Sequence, residues 1–347
     1  MSGGIDSSVA AILLKEQGYR VHGVYFDLWK YGEASSPRET SLKNLNFVSR
    51  NFNLEWELLD IKEIFHNTVI KKFFESLSRG ETPNPCVICN PSIKFQYMIS
   101  RMEKLGFDSI ATGHFANISK DEHTNIFHLF KARDELKDQS YVLCLLNQFY
   151  LAKTLLPLGN ITKDEVRKIG KNFGLPFTDQ PESMDLCFVD NKNFQSFIHE
   201  NLPKAVHKGE IVDINNIVVG EHKGLAFYTI GQRKGINNIS GKPYYVIQKD
   251  VKNNRIVVDT ADRPGRNYLI ASKVNWISGK ELIESKIMDV KIRYRAAPIK
   301  ALVKPMPNNS VCVKFSSLIR DITPGQFAVF YENTELLGGG VITGREL

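Results

Sequence analysis

The distribution of apolar residues changes near residue 211, and this change constrains the fold more than any other feature. Before it, apolar runs such as residues 20–29 and 55–60 alternate with segments like residues 61–79, where apolar residues recur at helical spacing. Such alternation predicts a doubly wound parallel sheet with helices on both faces. After it, short alternating or β-branched runs, such as residues 211–219 and 291–295, predict strands separated by turn residues, which is typical of small barrels. The chain therefore combines an α/β part with a mostly-β part.

The length of 347 residues supports this division. Domains average about 150 residues, so two or three domains are expected rather than one large core. The polar stretch over residues 260–280 is a plausible place to divide the β part in two. Thr162 and Glu165 form a capping-box pattern that predicts the start of a helix within the α/β part.

Charge and hydropathy limit the class of protein. Lys and Arg number 45 against 38 Asp and Glu, a net charge of +7 that favours a polyanionic partner. The most apolar stretch, residues 141–158, is interrupted by Asn147, Lys153 and Pro157 before it reaches the roughly 20 residues of a membrane span. The first residues lack the pattern of a secretory signal. We expect a cytoplasmic protein with no membrane partner.

A glycine-rich loop opens the chain. Residues 2–8, SGGIDSS, lead directly into an apolar segment that reads as a helix. Glycines let the backbone wrap closely around an anion, and serine hydroxyls and the N–H groups at a helix start donate hydrogen bonds to it. Phosphate is the expected occupant. A Walker loop would require a lysine that is absent here, so an ordinary γ-phosphate-transferring NTPase is disfavoured.

Five cysteines are too few and too odd in number for a disulfide framework, namely Cys86, Cys89, Cys144, Cys187 and Cys312. Cys86 and Cys89 resemble half of a zinc site, but no second pair exists, so we expect no structural metal. Cys89 falls in a proline-rich segment, residues 81–91, which predicts a loop before a helix over 93–105. The helix start and nearby Lys94 are expected to lower the pKa of Cys89.

These features resemble a known family. SGGIDS is similar to the PP-loop of the N-type ATP pyrophosphatases, and within that superfamily the chain resembles the tRNA-specific 2-thiouridylases (the MnmA/TrmU family) over nearly its whole length. The matching segments are MSGGIDSSVA, GETPNPCVICNPSIKF, ATGHFA, KDQSYVL, LGNITKDEVRKIG, ESMDLCF, GLAFYTIGQRKGI, KIRYRAAP, ITPGQFAVFY and LGGGVI.

The resemblance implies an ATP-dependent enzyme that converts uridine at the wobble position (U34) of tRNAs for Lys, Glu and Gln into 2-thiouridine. The C2 oxygen would be adenylated and then replaced by sulfur from a cysteine persulfide. With the change near residue 211, it implies a PP-loop ATP-binding and catalytic domain over residues 1–200, a central β domain over 201–275 and a C-terminal β-barrel over 276–347.

The resemblance also assigns residues to the chemistry. Cys89 is the nucleophile and Cys187 carries the persulfide, and the two form a transient disulfide. Asn84, Pro85 and Cys86 contact the target base, although many family members have Asp at the position of Cys86. ATP, with Mg²⁺ expected, is bound by Met1, Ser2, Gly3, Gly4, Ile5, Asp6, Ser7, Phe26 and Gly113.

The resemblance implies two macromolecular partners. One is tRNA, at the family positions His114, Lys137, Asp138, Gln139, Arg293, Tyr294 and Gln326. The other is a sulfur donor, either a cysteine desulfurase or a sulfur-relay protein. Because a third thiol is available, an iron–sulfur cluster on Cys86, Cys89 and Cys187 is a minority hypothesis.

Two other functions remain open from the sequence. One is a different PP-loop tRNA sulfurtransferase, such as a 4-thiouridine synthetase, or another adenylating ligase. The other is a non-catalytic tRNA-binding homologue with an impaired PP-loop, because family members have a strand and a glycine before the MSGG segment. We expect that a strand preceding Met1 belongs to the working enzyme, since every later motif is intact.

Overall fold

The structure is a computed structural model that describes residues 1–32, 35–180, 186–190, 192–236, 243–260 and 265–344. Its α-helices are α1 Ile5–Glu16, α2 Ser35–Phe52, α3 Lys62–Phe65, α4 Lys71–Ser78, α5 Pro85–Cys89, α6 Gln96–Leu105, α7 Gln148–Leu151, α8 Lys163–Asn172 and α9 Phe194–Asn201. Its strands are β1 His22–Asp27, β2 Glu55–Asp60, β3 Ile110–Ala111, β4 Ala116–Lys120, β5 Phe127–Lys131, β6 Thr154–Leu155, β7 Gly209–Asp213, β8 Val218–His222, β9 Tyr244–Asp250, β10 Arg255–Thr260, β11 Arg266–Trp276, β12 Lys286–Lys291, β13 Ile299–Met306, β14 Ser310–Ile319, β15 Phe327–Glu332 and β16 Glu335–Gly344. The change from α/β to mostly-β structure is confirmed, because every α-helix of the described residues lies before residue 202.

The parallel strands of the α/β part form two separate pairs among the described residues. β1 pairs with β2, and β3 pairs with β6, both in parallel. The amino group of Met1 donates a hydrogen bond to the carbonyl oxygen of Val24, so the first residue lies beside β1. The α/β class is therefore confirmed, while the sheet is divided where a single doubly wound sheet was expected.

Helix α1 fixes the position of the glycine-rich loop. Its apolar face, including Val9 and Ile12, is buried in a core that also contains Phe115. Gly113, just beyond β3, lies against the start of this helix, because a Cβ there would be 2.9 Å from the backbone of Asp6. The loop therefore lies at the carboxyl ends of the parallel strands, where ligands bind in α/β folds.

The segment predicted as a loop over residues 81–91 is helical from Pro85 onward. Helix α5, a π-helical turn Asn90–Phe95 and helix α6 follow one another without a break. Proline is favoured at the first position of a helix, where its fixed φ fits and no N–H is needed. Pro91 stands at the beginning of the π turn, where the hydrogen-bond pattern changes. The loop prediction was wrong because it treated every proline as a helix breaker.

The central β part is a four-stranded sheet in the order β8-β7-β10-β9, with β7 and β10 parallel. The run over residues 211–219, which was predicted as one strand, is a hairpin of β7 and β8. Asp213 accepts hydrogen bonds from the backbone N–H groups of Asn215 and Ile217. Asn216 between them has a φ of 61°. These are the features of an Asx turn.

The C-terminal part is a closed six-stranded antiparallel barrel in the order β11-β14-β13-β12-β15-β16, closed by pairing of β11 with β16. Strand β11 lies inside the polar stretch chosen as a divide. It buries Leu269, Ala271 and Val274 in the barrel core, which explains why it belongs there. The run over 291–295 was predicted as a strand, but β12 ends at Lys291. The predicted domain boundaries stay predictions.

The barrel and the α/β part share one sheet, since the β4–β5 hairpin pairs with β16.

No helix of the described residues is long and apolar enough to cross a membrane.

Candidate active site

The glycine-rich loop has the shape of an anion site. Gly3 has a φ of 77°, and a Cβ there would lie 2.5 Å from the carbonyl oxygen of Ser41, so only glycine fits. Gly4 caps α1 without a side-chain hydrogen bond. The hydroxyls of Ser2 and Ser7 lie 3.1 Å apart, and the N–H of Ser2 donates to Ser7 Oγ at 3.0 Å. Hydroxyls and N–H groups thus surround a helix start, which suits a phosphate group.

The same residues fit Mg²⁺ as a companion of a bound polyphosphate. Asp6 is the acidic residue in the first turn of α1. Mg²⁺ is usually held by one or two carboxylates together with substrate phosphates and waters, so one nearby carboxylate suffices. Among the residues that the structure describes, no three His, Cys, Asp or Glu side chains are grouped to hold a metal ion without such help.

The other predicted ATP contacts are Met1, Phe26 and Gly113. Phe26 stands near the carboxyl end of β1 and is half-buried against a core that contains Phe65 and Phe197. Gly113 contacts the backbone of Asp6 and Ser7. Met1 lies beside β1 and directly precedes the loop, and Gly113 contacts the start of α1, whereas Phe26 packs against the core that also contains Cys89.

Cys89 ends α5 and is only 6% exposed. It packs in an apolar core with Ile93, Phe188 and Phe197. This burial raises the pKa of the Cys89 thiol to about 12, and the nearby positive charge of Lys94 offsets only part of the effect. The expectation of a lowered pKa was wrong, because Cys89 lies in the second turn of a helix and inside the core rather than at an exposed helix start.

Lys94 lies on the cysteine side of the helix because of the π turn. The turn follows Cys89 directly, and its hydrogen bonds join residues five positions apart. This spacing carries Lys94 round towards Cys89. Single π turns inside α-helices are frequent at functional sites.

Cys187 approaches Cys89 from another part of the chain. It lies in a tight turn closed by a bridge between Leu186 and Val189. Phe188 and Val189 are buried in the same core as Cys89. The side chain of Cys187 itself is exposed, although crowding by the protein raises its pKa to about 11. The neighbouring charges that act on this pKa belong to Lys94, Cys86 and Lys30.

The structure therefore brings Cys86, Cys89 and Cys187 into one neighbourhood, all three as free thiols. Within the part of the chain that the structure describes, these three cysteines do not form a group that could hold a metal ion. The segment 182–185, which precedes Leu186 in the ESMDLCF motif, lies outside the described residues.

The segment before α5 is held by both β parts. The Thr82 N–H donates to the carbonyl oxygen of Pro324 at 2.9 Å, and Gln326 Nε2 donates to the carbonyl oxygen of Thr82 at 2.7 Å. On the other side, a Cβ on Gly80 would lie 2.5 Å from Val251, the residue that follows β9. Asn84 caps α5 without using its side chain for the cap. Its amide is therefore free of the helix cap, two residues before the exposed Cys86.

The predicted tRNA contacts near the loop are mostly engaged within the protein. Water exclusion, together with the charge of Lys94, lowers the pKa of His114 to about 3. His114 Nδ1 lies 2.8 Å from Thr112 Oγ1, and its ring stacks on Phe95. Asp138 is buried and accepts hydrogen bonds from Ala132 and Ser140.

Other predicted tRNA contacts are also engaged within the protein. Gln139 Oε1 accepts a hydrogen bond from the Phe115 N–H at 2.9 Å. Arg293 Nη2 donates to the Ile230 carbonyl oxygen and to Thr323 Oγ1, each at 2.6 Å. Tyr294 packs against the ring of Tyr141. Lys137 precedes Asp138 in the same turn and is half-buried. These contacts orient the surface around the site and leave the tRNA roles as predictions.

Lys163 is the site residue that sequence reasoning missed. It is buried at the first position of α8, and its ammonium group forms an ion pair with Asp6 of the loop. A basic residue in the first turn of a helix opposes the helix dipole. Lys163 lies between the two capping-box residues, and this unfavourable position was the sequence signal that could have identified it.

Comparison with known proteins gives three family matches in order along the chain. Residues 1–191 match the tRNA methyl transferase HUP domain, 195–260 the tRNA methyl transferase PRC-barrel domain, and 266–342 the aminomethyltransferase beta-barrel domain. A "tRNA-specific 2-thiouridylase MnmA" of Natranaerobius thermophilus is 38% identical over 351 residues, covering 99% of this chain and 95% of that protein. Another, of Halothermothrix orenii, is 40% identical over 349 residues, covering 99% and 97%.

A solved structure, "U34-tRNA thiolase NcsA from Methanococcus maripaludis with its [4Fe-4S] cluster", is 17% identical with a TM-score of 0.33 over 58% of this chain and 65% of that chain.

Proposed function

Because the chain belongs to the tRNA-specific 2-thiouridylase family, we propose that it replaces the C2 oxygen of the wobble uridine U34 in tRNA with sulfur, at the expense of ATP. The substrates are the tRNAs for Lys, Glu and Gln. The observation that carries this function is the neighbourhood of Cys89, Cys187 and Lys94, next to a loop shaped for phosphate. The family descriptions mention methyl transfer, but two thiols at the site favour sulfur transfer.

ATP activates the uridine by adenylating its C2 oxygen, which then leaves as AMP. The loop over residues 2–7 holds the pyrophosphate with its hydroxyls and N–H groups, and Mg²⁺ bound there would be held by Asp6 and the phosphates. Phe26 and Gly113 border the adenosine. The fixed backbone at Gly3 keeps these donors in place before ATP binds, which limits the entropy lost on binding.

Sulfur reaches the base as a persulfide on Cys187. In one route its terminal sulfur attacks C2, AMP leaves, and the Cys89 thiolate then attacks the Cys187 sulfur and releases the thiolated base. In the other route Cys89 attacks the Cys187 sulfur first, and hydrosulfide is released to attack C2. Both routes end in a Cys89–Cys187 disulfide, which an external dithiol reduces. The exposure of Cys187 suits loading by a cysteine desulfurase or a sulfur-relay protein, whereas buried Cys89 is protected from solvent oxidants.

The base-contact segment lies beside these cysteines. A base inside an RNA stack is out of reach of buried groups, so the uridine is turned outward before reaction. Asn84 presents an amide that is free of the helix cap, and amides pair with the edge of uracil. Pro85 is buried and fixes the helix start, while exposed Cys86 borders the opening.

Complementation tests this function against its alternatives. In a bacterial strain deleted for its own U34 2-thiouridylase, the wild-type gene is expected to restore 2-thiouridine at position 34, measured by nucleoside mass spectrometry. Cys89→Ser and Cys187→Ser are expected to restore none. Cys312→Ser, in strand β14 of the barrel, is the matched control and should behave as wild type. Restoration of 4-thiouridine alone, or thiolation by the Cys89 variant, would contradict the proposal.

A further inference from the structure

Buried Lys163 forms an ion pair with Asp6, and the proposed chemistry gives this lysine no role. We propose that Lys163 is a positioning residue whose charge neutralises Asp6, so that the loop over residues 2–7 accepts the pyrophosphate part of ATP. The inference rests on the proposed function only in taking ATP as the ligand.

The two side chains are in direct contact, but they differ in their exposure to solvent. Lys163 Nζ lies 2.5 Å from Asp6 Oδ1, with 5% of the lysine side chain and 34% of the aspartate side chain exposed. The lysine is thus enclosed, whereas part of the aspartate side chain remains exposed. Charge-assisted hydrogen bonds of this kind are short and strong.

Helix α8 is built to hold the lysine at this place. Thr162 and Glu165 close a capping box, which confirms the sequence prediction and fixes the first turn. The Lys163 N–H donates to Asp134 Oδ2 at 2.9 Å. Gly170 lets the helix approach α1, since a Cβ there would lie only 3.2 Å from Ile5 Cδ1. Two helices are thus joined where the phosphate loop begins.

Electrostatics explains why the loop needs this lysine. Asp6 alone places a negative charge in the first turn of α1, where the helix N-terminus would otherwise attract an anion. A carboxylate there competes with phosphate for the same positive potential. The Lys163 ammonium group, which is buried against Asp6, offsets that charge. The helix start is then free to attract pyrophosphate, and Asp6 is held in one orientation.

The test measures binding without catalysis. Calorimetry with inorganic pyrophosphate, without divalent cations and without tRNA, is applied to wild type, Lys163→Met, Asp6→Asn and the double variant. We expect Lys163→Met to weaken binding about tenfold or more, because an uncompensated carboxylate then faces the anion. Asp6→Asn should bind at least as tightly as wild type, and the double variant should recover to within about threefold of wild type, because it carries neither charge. Lys168→Met, an exposed lysine on the same helix, is the control and should not change binding.

The alternatives predict different outcomes. If Lys163 contacted the phosphate itself, the double variant would bind as weakly as Lys163→Met, and the inference would be wrong. Unchanged binding by Lys163→Met would equally overturn it. Melting temperatures show whether a variant is folded, and Lys163→Gln replaces Lys163→Met if the latter is not. If wild type binds neither pyrophosphate nor Mg–ATP, the proposed function fails and the role of the pair fails with it.

Discussion

Gln326 of the C-terminal barrel donates a hydrogen bond of 2.7 Å to the carbonyl oxygen of Thr82, two residues before Asn84. Pro324 accepts the Thr82 N–H from the same turn, so both backbone groups of Thr82 are bound by the barrel. A Cβ on Gly325 would lie 2.9 Å from Glu81, so the two chains are in tight contact. The barrel therefore fixes the segment that leads into the cysteine helix.

Gln326→Ala is expected to slow thiolation about fivefold while leaving tRNA affinity unchanged, because one hydrogen bond of about 1 kcal/mol that orients the segment is lost. Single-turnover formation of 2-thiouridine and filter binding of tRNA measure the two effects. Gln248→Ala, an exposed glutamine in β9, is the control. An equal loss of tRNA affinity would instead support a direct tRNA contact by Gln326.

The pKa of Cys89, raised to about 12, predicts the pH dependence of sulfur transfer. Thiolate is the reactive form, and its fraction rises tenfold per pH unit below the pKa. The single-turnover rate on adenylated tRNA should therefore rise with a slope near 1 in log rate between about pH 6.5 and 9. A plateau beginning below pH 8 would show that the thiol ionises more easily than its burial implies.

Lys94→Met should lower the rate of sulfur transfer at every pH in this range. The lysine charge is the main influence that lowers the pKa of Cys89, and removing it raises this pKa further. Pyrophosphate release during adenylation should remain unchanged, since Lys94 acts on the thiols. Lys104→Met, on the exposed side of α6, is the matched control. A loss of adenylation in Lys94→Met would place the lysine in the ATP step instead.

Gly3→Ala should abolish measurable ATP binding. The added Cβ would lie 2.5 Å from the Ser41 carbonyl oxygen, and the left-handed φ costs alanine about 1–2 kcal/mol. Gly18→Ala separates the two effects, because Gly18 has a φ of 89° but no atom within 4 Å of an added Cβ. It should lower thermal stability yet retain ATP binding. If both variants bind ATP equally, ATP binding by the glycine-rich loop does not depend on the close approach at Gly3.

Much of the fold follows from local patterns. Strand β2 occupies the predicted residues 55–60, and the Thr162 capping box forms as predicted. The helix start at Pro85 was missed because proline is compatible with the first turn, a choice decided by the contacts around it. The burial of Cys89 depends on Phe188 and Phe197, about a hundred residues away in sequence, and no local pattern carries that information. No local pattern predicts the Lys163–Asp6 ion pair either.

In vitro thiolation with purified components tests the central claim most directly. Unmodified tRNA for Lys, Glu or Gln is incubated with the protein, Mg–ATP and a persulfide donor, and its nucleosides are analysed by mass spectrometry. We predict 2-thiouridine at position 34, formed only with ATP and lost in both Cys89→Ser and Cys187→Ser. Sulfur incorporation without ATP, or its absence from U34 although ATP is consumed, would contradict the account.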